Sequence, residues 1–196
     1  MDGCKSLKLP LVDAEIAYIA DFFSNDEADR IYTALLDELS WHQGDVHVFG
    51  KWYKTPRLQA WHGDNSLVYR YSGKALTTEP WTKTLIEVRS RLEAAGFAPN
   101  AVLANQYRDG SDKMGWHSDD EPELGEQPVI LSLSFGAVRD FDLRHKKTKT
   151  THRISLEHGS LLVMKGSTQK FWQHQLPQRK REKSPRINLT FRTIIT

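Results

Sequence analysis

Apolar positions recur along this chain with two different periods, and the change falls near the middle. Ser24 to Glu27 forms a capping box, S-x-x-E, ahead of Ile31, Leu35 and Leu39 at helical spacing, with Tyr32 and Leu36 widening the same face. That pattern predicts a helix. A second helix is expected from Pro80, a residue suited to a first helical position. Leu85, Val88 and Leu92 would form its stripe, Glu87 and Arg91 an i,i+4 pair, and Gly96 its end. Residues 41–73 are rich in Trp, Tyr, His and Gly and read as short strands with turns. The first ten or so residues are polar and read as a frayed end.

From Ala101 onward the period shortens. β-type runs follow one another at 101–107, 129–135, 139–144, 152–156, 160–164, 170–175 and 186–195, separated by turn-type residues. Short strands with no long helix between them predict an antiparallel sandwich or barrel. The fold class is therefore α+β, mainly β. No repeat or linker interrupts the chain, so residues 1–196 read as a single domain, with 1–100 an elaborated N-terminal part and 101–196 the core.

Composition narrows the function classes. Hydrophobic residues make up 39% and charged residues 27%, as in soluble globular proteins. No run approaches the roughly 20 apolar residues of a membrane span, and the first residues lack the apolar stretch of a signal peptide. The expected location is the cytoplasm or nucleoid, or the nucleus in a eukaryote. Cys4, the single cysteine, cannot form an internal disulfide or a cysteine-based metal site. Net charge is only +2, so a nucleic-acid partner has to be argued from local clusters.

Candidate chemistry gathers in the second half. Arg186-Ile187-Asn188-Leu189-Thr190-Phe191-Arg192 alternates polar and apolar, so a strand there puts Arg186, Asn188, Thr190 and Arg192 on one face. That face is either solvated or turned into a barrel, where two guanidiniums would take an anionic ligand. In Trp116-His117-Ser118-Asp119, an extended backbone points His117 and Asp119 the same way. With His174 on a later strand they make the two-His, one-carboxylate set of non-haem Fe(II) oxygenases; alone, H-x-D also fits a surface pair. Asn105 and Tyr107, two apart on a predicted strand, are either solvated at an edge or bonded inside a barrel. His42, His47, His62 and His152 have no partner at ligand spacing, and His158 beside Gly159 reads as a turn residue.

Asn105-Gln106-Tyr107, His117-Ser118-Asp119-Asp120, Arg139-Asp140-Phe141, His158-Gly159-Ser160-Leu161-Leu162, His174 and the R-x-N-x-T-F-R of the last strand together resemble the AlkB family of Fe(II)/2-oxoglutarate-dependent nucleic-acid dealkylases, over about Val48 to the C-terminus. The likeness leans towards its duplex-DNA repair members. It implies a double-stranded β-helix (jelly-roll) core under a nucleotide-recognition lid of helices and a small sheet. By motif, His117, Asp119 and His174 would bind Fe(II). Arg192 would pair with the distal carboxylate of 2-oxoglutarate, with Asn105, Tyr107, Arg186 and Thr190 around the same co-substrate. O2 would be the oxidant. An N-linked alkyl carbon of a 1-methyladenine or 3-methylcytosine type of base would be hydroxylated and lost as aldehyde, with succinate and CO2 released.

The same resemblance supplies expectations for the substrate. A base must leave its stack to reach buried iron. Tyr69 and Tyr71, on a lid-like strand, would contact it, and Asp120 would favour a cationic base. Phe49, beside Gly50 and Lys51, would wedge into the duplex. Two basic clusters, one with Arg144, Lys146 and Lys147 and the other with Arg179, Lys180 and Arg181, would meet phosphates. The expected partner is alkylated DNA, as a duplex with a flipped base, met by a monomer. RNA, a non-nucleic-acid substrate, and a silent nucleic-acid-binding module are the rival readings.

Overall fold

The computed structural model describes residues 6–48, 50–64, 67–71 and 74–195, and the side chains of these except 46–48, 68–71 and 74–77. In the N-terminal half these form β1 (Ser6–Leu9), β2 (Glu15–Ile19), helix α1 (Asn25–Glu38), β3 (His42–Val48), β4 (Lys51–Gly63), β5 (Val68–Tyr71), β6 (Lys74–Thr77) and helix α2 (Lys83–Ala94). The second half holds β7 (Ala101–Tyr107), β8 (Met114–His117), β9 (Ile130–Gly136), β10 (Arg139–His145), β11 (Thr151–Leu156) and β12 (Ser160–Lys165). The one-turn helix α3 (Thr168–Phe171), β13 (Trp172–Leu176) and β14 (Arg186–Arg192) complete it.

Two antiparallel sheets face each other. The larger has the order β1-β2-β12-β9-β14-β7-β4-β3 and the smaller β11-β10-β13-β8, while β5 and β6 form a separate hairpin. From β7 onward the chain crosses back and forth between the two sheets, which winds them into a double-stranded β-helix. The N-terminal half extends the same sheet: β2 pairs with β12 on one side and β4 with β7 on the other.

Each face of the large sheet has its own apolar layer. Outside, Val102, Ala104, Leu133, Ile187, Leu189 and Phe191 pack with Ile31 and Leu35 of α1 and Leu85, Val88 and Leu92 of α2. Inside, Trp61, Leu103 and Ile130 meet Phe141, Leu143, Ile154, Leu156 and Trp172 of the small sheet. β14 is buried along its whole length. Its apolar side takes the helices, so its polar side turns into the sandwich.

Several elements depart from the sequence pattern. The capping box forms at Ser24 and Glu27. The second helix, however, starts at Lys83, because Thr82 caps it by accepting a hydrogen bond from the Leu85 amide. Pro80 lies in an extended stretch clipped to β4, where its carbonyl accepts from His62 at 2.7 Å. Glu87 pairs with Arg30 of α1 rather than with Arg91. Residues 6–9, read as frayed, form an edge strand, and β2 was missing from the pattern altogether. The run at 170–175 divides into α3 and β13.

The loop after β7 is locked to the loop before β14. The Gly110 amide donates to the Glu182 carbonyl at 3.0 Å, and the Arg179 amide donates to the Gly110 carbonyl at 2.7 Å. Buried Arg139 donates to the carbonyls of Asp109, Asp112 and Pro177 at 3.2, 3.0 and 2.9 Å, binding both loops to β10. A Cβ at position 110 would stand 1.7 Å from the Arg179 carbonyl oxygen, so only glycine fits. Gly110→Ala is expected to part the loops and cost about 3 kcal/mol, from overpacking plus two lost hydrogen bonds. Urea denaturation checks this; a stability within about 0.5 kcal/mol of wild type, the usual range for surface changes, would contradict it.

Candidate metal centre and co-substrate cleft

β8 and β13 are neighbours in the small sheet, and their register sets His117 opposite His174. The two imidazoles lie 4.2 Å apart at their centroids. Asp119 stands two residues beyond the end of β8 on the same side. One ligand atom from each of the three comes within 4.8 Å of the others. The His117 ring donates from Nδ1 to the Gly115 carbonyl at 2.9 Å, which leaves Nε2 as the metal-facing nitrogen. His174 stacks on Phe141 at 5.2 Å and points Nε2 towards the Asp119 carboxylate at 3.8 Å.

Electrostatics prepares these groups for a cation. Burial alone would raise Asp119, but the Arg192 guanidinium, 2.8 Å from Oδ1, and the two imidazoles hold it well below the usual carboxylate range. Burial pushes His117 down, and pushes His174 to about 3 with help from His117 beside it. Both imidazoles are therefore neutral at pH 7, as metal ligands must be.

A stability effect follows from His174. Unfolded, the side chain takes a proton below about pH 6.5; folded, it does not until about pH 3. The unfolded state thus binds more protons between these values, and stability falls as pH drops. Between pH 7.5 and 5.5 the metal-free protein is expected to lose about 1 kcal/mol through this group. His174→Leu should reduce that slope in chemical denaturation, with buried His117 accounting for part of what remains; an unchanged slope would contradict the assignment.

The metal ligands open into a cleft lined by Arg57, Asn105, Tyr107, Asn188, Thr190 and both β14 arginines. Arg192 is at the metal end, on Asp119. Arg186 stands at the other end of β14, paired in register with Tyr107, whose ring lies 5.3 Å from its guanidinium. It donates to Ser134 at 2.9 Å, while its buried Nε has no partner among the described groups. Burial lowers it to about 10, so it remains a cation at neutral pH. Asn105 accepts from Arg57 Nε at 2.7 Å. Thr190 donates to Asn188, which in turn bonds Ser132 and the Leu133 carbonyl. This donor set fits Fe(II) at one end and a dicarboxylate along the cleft.

The sequence pattern of the 2OG-Fe(II) oxygenase superfamily matches residues 15–192. The chain belongs to that superfamily. Among curated relatives, the DNA oxidative demethylase ALKBH2 of Mus musculus is 46% identical over 185 residues, covering 88% of this chain and 77% of the relative. ALKBH2 of Homo sapiens is 43% identical, covering 88% and 71%. The alpha-ketoglutarate-dependent dioxygenase alkB homolog 3 of Bos taurus is 40% identical, covering 88% and 64%. The solved structure of OsALKBH1 superposes with a TM-score of 0.66 at 17% identity, covering 96% of this chain and all of that one, a likeness of fold. This AlkB-family oxygenase therefore uses Fe(II), 2-oxoglutarate and O2.

Other expected site residues fall elsewhere. Asp120 faces away from the cleft: consecutive extended residues point to opposite sides, and its carboxylate meets Lys146 at 3.2 Å. It lines a separate hollow with Gln169 and Phe171 rather than the metal cleft. Lys146 also donates to the Gln169 carbonyl at 2.8 Å, and Arg179 forks onto Asp140 at 2.7 Å. Arg144 stacks over Trp116 at 4.2 Å. Lys147, Lys180, Arg181 and Lys51 are exposed. Tyr69 and Tyr71 pair with Leu76 and Lys74 in the β5–β6 hairpin, and their side chains lie outside the described ones, as does the whole of Phe49.

Arg57, which lines the cleft, and Gln59 behind Asn105 were not singled out by the sequence pattern. Arg57 and Gln59 alternate on β4 and reach Asn105 from its neighbour strand. Their i,i+2 spacing was a usable signal, but the register of β4 was not.

Proposed function

We propose that this chain is an oxidative DNA demethylase that removes methyl groups from 1-methyladenine and 3-methylcytosine types of base in duplex DNA, acting as a monomer on a flipped-out base. The carrying observation is the joining of a His-Asp-His set and two buried arginines in one cleft, in a chain 46% identical to a DNA oxidative demethylase. Its setting is the nucleoid or, in a eukaryote, the nucleus. No helix among the described residues is long and apolar enough to cross a membrane.

His117, Asp119 and His174 would hold Fe(II), which when bound would supply activation of O2. Arg192 keeps Asp119 ionised. The distal carboxylate of 2-oxoglutarate is assigned to Arg186 rather than to Arg192, whose guanidinium is engaged beside the metal. One oxygen atom of O2 would enter succinate as CO2 leaves. The other would hydroxylate the methyl carbon; the carbon–nitrogen bond then breaks with its electron pair returning to the ring nitrogen, the hydroxyl proton passes to solvent, and formaldehyde leaves. The chain's share is orientation and exclusion of water.

A hairpin, β3–β4, supports the nucleic-acid reading: Trp52 and Tyr53 are exposed near its turn, with Lys51 beside them. Large exposed aromatics next to cations suit unstacked bases and phosphates. Lys180 and Arg181 are assigned to phosphates, because Arg179 is engaged by Asp140. Neutralising both is expected to lower the slope of log affinity against log salt by about 2. An unchanged slope would remove the loop from the footprint. Rates on methylated duplex DNA, single-stranded DNA and RNA, compared side by side, test the substrate. Duplex DNA is expected to be repaired fastest, and preference for RNA would overturn the reading.

A further inference from the structure

The ladder between β8 and β13 ends at the pair His117–His174. Asp119 therefore has no strand partner to fix its backbone, although its carboxylate must meet two imidazoles that the sheet does fix. We infer that Gln169 is a positioning residue for the metal centre, acting through Asp119. Its buried side-chain carbonyl accepts the Asp119 amide hydrogen at 3.0 Å. Because the partner is an N–H donor, the oxygen end of Gln169 is the end turned towards it.

The holder is itself held. Gln169 lies in α3, one turn ahead of the strand that carries His174. Its main-chain carbonyl accepts from Lys146 at 2.8 Å, and its side-chain amide nitrogen lies 3.7 Å from Met164 Sδ. Next to it, Thr168 donates to the Lys165 carbonyl at 2.6 Å and accepts from the Glu15 amide at 2.9 Å. Ser118 donates to the Trp172 carbonyl at 2.9 Å, drawing the same segment onto β13. Side-chain bonds thus replace the missing ladder. Arg192 fixes the Asp119 carboxylate, Gln169 fixes its backbone, and one short segment of chain sets both Asp119 and His174.

The test is Mn(II) titration of the full-length metal-free protein, with Co(II) absorption as a second signal. Gln169→Leu and Gln169→Met remove the acceptor at similar volume and are expected to weaken Mn(II) binding about 10- to 100-fold, the usual cost of losing an outer partner. Gln169→Glu keeps an acceptor and is expected to bind more tightly than either. The Co(II) spectrum should shift in the Leu and Met variants and stay close to wild type in Glu. Thermal melts of the metal-free proteins identify the variants that are folded; two apolar replacements and Glu guard against loss of any one. Mn(II) affinity within about twofold of wild type in a folded Leu or Met variant, or equal weakening in Glu, would overturn the inference. It rests on the iron site, and because metal is titrated without DNA, its failure would leave the DNA reading standing.

Discussion

Replacing Asp119 by alanine is expected to abolish turnover and to destabilise the metal-free protein at the same time. The first effect follows from the ligand set: two imidazoles remain, and the loss should exceed the roughly 10- to 100-fold that removal of an outer partner costs. The second follows from burial. Asp119 and Arg192 are each 3% exposed at their side chains and meet at 2.8 Å. Removing one member of such a pair typically costs about 3–5 kcal/mol, because the remaining charge stays out of water. Asp119→Asn keeps the volume but not the charge, and should lose metal affinity as severely. Denaturation of the metal-free variants beside Mn(II) titration separates the two effects. An Asp119→Ala protein as stable as wild type would contradict the pairing, and one that still binds Mn(II) normally would contradict the metal site.

Arg186→Ala is expected to raise KM for 2-oxoglutarate by about 30-fold or more while affecting kcat far less. A buried charge pair at the end of such a cleft loses about 2–5 kcal/mol when one side is truncated. Arg186 is 2% exposed and rests on Tyr107. Arg186→Lys keeps the charge but not the planar fork, so it should recover only part of the affinity. Steady-state kinetics with varied 2-oxoglutarate at saturating DNA reads the split directly. An unchanged KM would move the distal carboxylate elsewhere along the cleft, with Arg57 the next cation lining it.

Local signals in the sequence carried well. The Ser24–Glu27 box is a contact over three residues, and the chain forms it as written. The alternation of β14 was also legible, but not which side faced water; that depends on α1 and α2 covering Ile187, Leu189 and Phe191. β4 was hidden by Pro56, which argues against a long strand. The structure accommodates it opposite the irregularity between Gln43 and Asp45 of β3. The start of α2 turned on Thr82, a better cap than Pro80 is a first residue.

The site shows the same division. His117, Asp119 and His174 are set by strand alternation and a motif, so spacing reached them. Asp120 lies on the opposite side from Asp119, against Lys146, because adjacency in sequence is opposition in an extended chain. Arg57 and Gln169 enter through register and through a turn packed from 50 residues away, which no short pattern encodes.

The most direct measurement is the yield of succinate per demethylated base, by mass spectrometry of a duplex oligonucleotide carrying one 1-methyladenine. Fe(II), 2-oxoglutarate and O2 are supplied together and then omitted in turn. The expected result is loss of one methyl group with one succinate formed, and none when any of the three is left out. Succinate released without methyl loss, or methyl loss without 2-oxoglutarate, would contradict a cleft built to couple the two.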